Sequence, residues 1–225
     1  MVEILHKTKN VVVIYKPSGI PSQKDLSNDK DAMTMASELL ADMGENSELW
    51  LVHRLDRGVG GLLIFARNKK YASILSEAVK ERIVTKEYYA VVDGEAPGGE
   101  LCDLIYKDSR TSKAFIVDRA RAGVKEARLS YRTLAVKNTD KGAKSLLYIA
   151  LDTGRFHQIR AQLSHRRLPI SGDGKYGSKD NKVKGIALMA AHLSVDQGVE
   201  RADVFRLPNR DEYPWSLFSE EEYRL

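Results

Sequence analysis

Cysteine is almost missing from this chain. The single residue, Cys102, can form neither an intrachain disulfide nor a cysteine-cluster metal site. The five histidines include no H-x-x-x-H pair, which argues further against a metal centre. No apolar run approaches the roughly 20 residues needed to span a bilayer. The opening residues, MVEILHKTKN, lack the apolar core and small-residue cleavage site of a signal peptide. Together these absences lead to the expectation of a cytoplasmic protein with no membrane contact. Also missing are the phosphate loop G-x-x-x-x-G-K-S/T and the nucleophile elbow G-x-S-x-G. There is no internal repeat and no low-complexity linker, so a single domain over residues 1–225 is the economical expectation.

What is present begins with enough apolar residues for a sizeable core, 43% of the 225, and an ordinary 30% of charged ones. The net charge of +5 is modest but uneven. Between Arg155 and Lys184 eight Lys/Arg face only Asp173 and Asp180, an excess of six that outweighs the whole chain's. Residues 209–225 are acidic, five acids against two bases. A local basic cluster is either a solvated face or a polyanion site, since each phosphate neutralised releases counterions.

Hydrophobic spacing predicts a buried strand at residues 11–15 that ends in a Pro-Gly-Pro turn, then a polar mobile loop at 23–30. A helix is expected over 32–43, strands at 51–55 and 61–66, and an amphipathic helix from residue 70 through Ile83. Further strands are expected in TKEYYAVVDG and at 114–117, 127–136 and 146–151. FHQIRAQLSHRR reads as a helix with Phe156, Ile159 and Leu163 inward and Arg155 at its entry. A turn-rich stretch follows, then strands near 187–195 and 204–207. Strands outnumber helices and run in hairpins, so the expected class is α+β with a mostly antiparallel mixed sheet.

Three stretches could carry chemistry. In LVHRLDRGVGGLLIFARN, Asp56 falls in or beside a turn whose glycines allow tight bending; it is either a presented carboxylate or an ordinary Asx turn. In DTGRFHQIR, Arg155, His157, Gln158 and Arg160 surround the start of a helix, a place suited to anions, or belong to a capped surface helix. In KEYYAVV, Tyr88 and Tyr89 point to opposite strand faces, one toward the core and the other toward solvent or a cleft. The absence of a second acid near Asp56 in sequence speaks against a glycosidase, which works with two carboxylates.

Taken together, five segments resemble the RluA-type pseudouridine synthases, in order and over nearly the whole chain. VVVIYKPSGIP is similar to the family's Lys-Pro strand-turn, and LVHRLDRGVGGLLIFARN to its H-R-L-D-x-x-T-S-G-L signature. ERIVTKEYYAVVDG resembles its K-x-Y-x-A-x-V segment. TGRFHQIRAQLSHRRLPISGDGKYG resembles its G-R-x-H-Q-I-R and G-D-x-x-Y-G block, and MAAHLSV its A-H-x-L strand. The resemblance implies an antiparallel-rich mixed sheet split by an RNA-binding cleft, without the separate N-terminal RNA-binding domain of larger members. It implies isomerisation of uridine to pseudouridine in ribosomal or transfer RNA, with no metal or cofactor. Asp56 matches the essential aspartate, Tyr88 the tyrosine that packs on the target base, and Arg155 the arginine that pairs with the aspartate. Arg54, His157, Gln158 and Arg160 match supporting or RNA-contacting positions. The chain departs from the pattern at Val59-Gly60, where Thr-Ser is usual, at Phe156, where Thr or Ser is common, and at Gln162, where many members have His. A non-catalytic RNA-binding protein and a nucleoside or glycoside hydrolase are the competing readings, and a monomer is the expected state.

Overall fold

Every residue of Gly60–Ala66, GGLLIFA, is buried, which requires protein on both faces of the strand it forms. The computed structural model describes residues 1–197 and 200–225. It divides into two compact units, one of residues 1–86 and 189–206, the other of residues 87–188 and 207–225. The α+β class read from the sequence holds.

In the first unit β1 (Glu3–Lys7) pairs antiparallel with β2 (Val11–Lys16). Helix α1 (Ala32–Asp42) follows, then the two-residue strand β3 (Trp50–Leu51) and the buried β4 (Gly60–Ala66). Strand β4 runs antiparallel to β2, from Val11 opposite Ala66 to Lys16 opposite Gly61. Helix α1 starts where Asp31 accepts the amide of Thr34 at 3.0 Å, and it buries Ala32, Ala36 and Leu40 at four-residue spacing. Helix α2 (Lys69–Lys80) is capped by Asn68 and lays Leu75 and Ala78 against Leu62, Ile64 and Ala66.

The second unit holds β5 (Thr85–Asp93), β6 (Gly99–Asp108), β7 (Lys113–Val117), β8 (Val124–Thr139) and β9 (Gly142–Leu151), in the spatial order β5-β9-β8-β6-β7. All these pairings are antiparallel. Helix α3 (Gln158–His165) packs on β6 and β7, where Ile105, Ala114, Ala127, Ala161 and Tyr176 form a small core. The first unit is completed late in the chain by β10 (Leu188–Gln197), parallel to β4, and β11 (Glu200–Phe205), antiparallel to β10.

The parallel pair places Gly61 opposite Ala190, with φ at +121°. A Cβ there would stand 2.2 Å from the Ala190 carbonyl oxygen, so no side chain fits. Gly61→Ala is therefore expected to destabilise by about 3 kcal/mol, since neither backbone can yield cheaply. Thermal denaturation should show a fall of roughly 10 °C; an unchanged midpoint would contradict the close approach.

Polar pins fix the long turn-rich segment that follows α3. Lys144, almost fully buried, donates to Asp93 (2.7 Å), Ser171 (3.1 Å) and Asp180 (2.6 Å). Tyr213 donates to the same Asp180 carboxylate at 2.7 Å. Burial alone would raise the Asp180 pKa, but Lys144 and Tyr213 bring it down to about 2. The C-terminal residues close the core of this unit: Tyr89 donates to the Tyr223 carbonyl at 2.6 Å, and Tyr223 to that of Trp215 at 2.8 Å.

Candidate active site

The expected strand at 51–55 ends at Leu51, and residues 52–59 form a loop instead. The cause is a competing partner for the backbone. The Ser22 hydroxyl accepts the Leu55 amide at 3.0 Å and donates to the Leu55 carbonyl at 2.8 Å. Asp56 then opens a turn, its carbonyl accepting the Val59 amide at 3.0 Å. Around that turn, Ser18 donates to the Gly58 carbonyl at 2.7 Å and the Gly19 amide to the Arg57 carbonyl at 2.8 Å. Arg57 reaches back to the Gly19 carbonyl at 3.0 Å, to Ser27 at 3.2 Å and to Asp29. Residues 16–29 thus clasp residues 55–58 mainly through main-chain groups.

Lys16 sits at the centre of this clasp, its side chain fully buried. Its ammonium donates to the carbonyls of Ile20 (2.7 Å), Pro17 (3.0 Å) and Arg57 (3.4 Å). Burial lowers its pKa to about 8, with the Asp56 charge acting in the opposite direction and Arg57 adding to the fall. A buried cation that feels Asp56 is a site feature the residue-level reading missed. The Lys-Pro pair was its signal, but nothing in the letters says where the ammonium points. Val59 is buried, and a Cβ on Gly60 would lie 3.3 Å from the Ser18 amide nitrogen. The missing hydroxyl at residue 60 therefore leaves room for close passage of the Lys16–Ser18 backbone.

Three residues before Asp56, the His53 Nε2 accepts the Ile64 amide at 3.3 Å. Burial, with nearby Lys86 adding to it, pushes this imidazole down to about 3. Between pH 6.5 and 3 the unfolded chain binds a proton that the folded chain refuses. Stability from His53 is therefore full above pH 6.5 and is lost as pH falls. At pH 5 the cost is about 1–2 kcal/mol. Urea titrations at pH 7 and pH 5 should show a smaller acid-induced loss for His53→Gln than for the parent. An equal loss would contradict the buried neutral imidazole. Arg54, beside it, is exposed.

Arg54 and Asp56 belong to the first unit; Tyr88, Arg155, His157, Gln158 and Arg160 belong to the second. Tyr88 and Tyr89 take opposite faces of β5, and neither ring meets open solvent, at 7% and 0% exposure. Tyr89 is packing, set edge-on to Tyr148 and Tyr223 at 5.1 and 5.3 Å between centroids. Arg155 does not enter a helix as expected. It lies in a loop, and α3 begins only at Gln158, because His157 takes a left-handed conformation with φ at +52°. The loop is locked by Gln158, which is buried. Its Oε1 accepts the Arg155 amide (2.9 Å) and the Thr153 hydroxyl (2.8 Å), and its Nε2 donates to the Arg128 carbonyl (3.0 Å). Arg155 Nε donates to the Glu126 carbonyl at 2.8 Å, which aims the guanidinium.

Arg160 stands apart from the other site candidates. Its side chain is 7% exposed and forms a two-pronged bond to Asp173 at 2.7 and 2.9 Å, with Asp173 only 1% exposed. Its guanidinium also lies over the Tyr176 ring at 4.9 Å. Helix α3 is thereby tied to the G-D-x-x-Y-G turn. Gln162 is buried as well, donating to Asp103 at 2.7 Å.

The sequence model of the RNA pseudouridylate synthase family matches residues 10–165. The chain belongs to this family. Ribosomal large subunit pseudouridine synthase D of Borreliella burgdorferi is 32% identical over 209 residues, 88% of this chain and 62% of that protein. tRNA pseudouridine synthase C of Haemophilus ducreyi is 34% identical over 183 residues, 78% of this chain and 74% of that protein. The chain thus spans a little under two thirds of the ribosomal relative's length. Among solved structures, human RNA pseudouridylate synthase domain containing 4 superposes with a TM-score of 0.72 at 26% identity, covering 92% of this chain and 89% of that one. Human RNA pseudouridylate synthase domain containing 1 shares the fold, with a TM-score of 0.76 at 22% identity over 93% and 84% of the two chains. Asp56, Tyr88 and Arg155 all lie inside the stretch matched by the family.

Proposed function

We propose that this chain isomerises uridine to pseudouridine in structured ribosomal or transfer RNA, in the cytoplasm, with Asp56 as the reacting carboxylate and no cofactor. The observation that carries the proposal is the clasp around residues 55–58, which supports Asp56 through main-chain bonds and a buried lysine. In a chain of this family, that is the support a reacting carboxylate requires. The relatives named for ribosomal and transfer RNA support the substrate class, and so does the basic excess between Arg155 and Lys184.

The reaction breaks the C1′–N1 bond, turns the uracil and joins its C5 to C1′, while the C5 proton leaves and N1 gains one. Water adds to nothing, so one carboxylate suffices. Attack at C1′, addition at C6 and removal of the C2′ proton all draw on the same charged oxygen. Tyr88 and Arg155 keep the roles that the resemblance gives them, Tyr88 packing on the target base and Arg155 pairing with the aspartate. The target base leaves its stack at a cost of a few kcal/mol, offset by phosphate contacts.

The test incubates the purified protein with ribosomal and transfer RNA and maps uridine conversion. New pseudouridine without free uracil supports the proposal. Released uracil would assign a hydrolase, and tight binding with no conversion a non-catalytic RNA protein.

A further inference from the structure

The left-handed His157 is a backbone conformation that non-glycine residues seldom adopt, and it persists where surrounding structure imposes it. It turns the imidazole back over the preceding residue. Phe156 and His157 stack with centroids 3.8 Å apart and planes inclined by 18°. The Tyr176 hydroxyl meets His157 Nδ1 at 3.0 Å and accepts the Ala114 amide at 2.8 Å, which fixes the imidazole. The result is a ledge of two parallel rings directly after Arg155.

Cations border it. The Lys107 ammonium lies 4.8 Å from the centroid of the half-buried Phe156 ring. Lys113 stands 5.0 Å from the Tyr176 ring, and Lys175 donates to the Ser112 carbonyl at 2.8 Å, beside it. Among the described residues neither Lys107 nor Lys113 has a carboxylate partner. A lysine resting on an aromatic face, with no acid to neutralise it, marks a place that suits a planar group and an anion together. A nucleotide carries both. Lys107 is exposed, so its ammonium can leave the Phe156 face for a phosphate while a base takes its place.

We propose that the Phe156–His157 ledge, bordered by Lys107 and Lys113, is a subsite for one nucleotide of the substrate RNA strand. The base stacks on Phe156 and the phosphate meets the two lysines. This rests on the RNA reading above, and it makes Phe156, a ring where the family pattern has Thr or Ser, a determinant of which nucleotide is accepted there.

The test is fluorescence anisotropy with an end-labelled single-stranded oligoribonucleotide, titrated at several salt concentrations, alongside uridine conversion on cellular RNA. Phe156→Leu keeps an apolar side chain against the small core under α3 and removes the flat face. It is expected to weaken binding about tenfold or more. Lys107→Gln, at an exposed site, is expected to lower the slope of log affinity against log salt by about 0.7, one phosphate contact on a single strand. Unchanged affinity in Phe156→Leu, or an unchanged slope in Lys107→Gln, would overturn the subsite even if conversion persists. Weakened binding by both variants supports the subsite even if the parent protein converts no uridine, so the two failures are told apart. Should Phe156→Leu prove unfolded by thermal melt, the Lys107→Gln slope decides alone.

Discussion

Asp56→Asn is expected to abolish uridine conversion, by roughly 10⁴-fold or more, while leaving the protein folded. A loss of that size is what removal of a group bonded to the reacting atoms produces. Folding should survive because the turn is held by other atoms. The Asp56 carbonyl, not its carboxylate, accepts the Val59 amide, and residues 55, 57 and 58 are held by Ser22, Gly19, Lys16 and Ser18. Asparagine keeps the size and removes the charge. One electrostatic consequence follows: the Asp56 charge works against the burial of Lys16, so its removal should let the lysine pKa fall below about 8. The measurements are pseudouridine formation on ribosomal and transfer RNA and the thermal midpoint, side by side. Residual conversion within tenfold of the parent would remove Asp56 from the chemistry. A collapsed midpoint would mean that its charge is structural.

Arg160→Met is expected to act in the opposite sense, on stability before function. It would strand the Asp173 carboxylate, 1% exposed, without its two guanidinium bonds. Breaking a buried pair from one side costs about 3–5 kcal/mol, which in a chain of this size lowers the thermal midpoint by roughly 10 °C. The double variant Arg160→Met/Asp173→Leu should recover part of the loss, because an apolar pair of similar volume leaves no charge behind. The motif alone suggested a supporting or RNA-contacting role for Arg160, and the two separate cleanly. An RNA-contacting arginine would weaken RNA binding with no change in midpoint, whereas the Asp173 anchor should shift the midpoint.

The legible parts of the fold were those where one physical signal dominates. GLLIFA is apolar throughout and reads as a buried strand, and the three- and four-residue spacing of Leu75 and Ala78 reads as a helix face. β1 and β6 went unread because EILHK and GELCDLIYKD interleave charges with apolar residues, and their burial is only partial. β11 was placed too late, at Val204, although its pairing with β10 begins at Glu200. The boundary of α3 was misread because a left-handed His157 leaves no mark in the letters. In the site, the Asp56 turn could be seen from its glycines. Its clasp could not, since Ser22 and Leu55 lie 33 positions apart and Lys16 and Arg57 lie 41 apart. Contacts at that range depend on the register of β2 against β4, which hydrophobic pattern sets only once the pairing is known.

The parallel pairing of Gly60 with Met189 spans about 130 residues of chain, and a contact that distant is slow to form. A ribosome delivers residues at roughly 5–20 per second, so β2 and β4 wait several seconds or more for β10. During that interval the second unit's strands, from β5 to β9, have all emerged and can pair with their near neighbours. Assembly order should therefore depart from chain order, with the β5–β9 strands paired before β4 receives β10. The loop bearing Asp56 leads directly into Gly60, so the carboxylate gains its final support only near the end of synthesis. Nascent chains arrested before Met189 should accordingly leave residues 60–66 open to protease, while the β8–β9 hairpin is already protected.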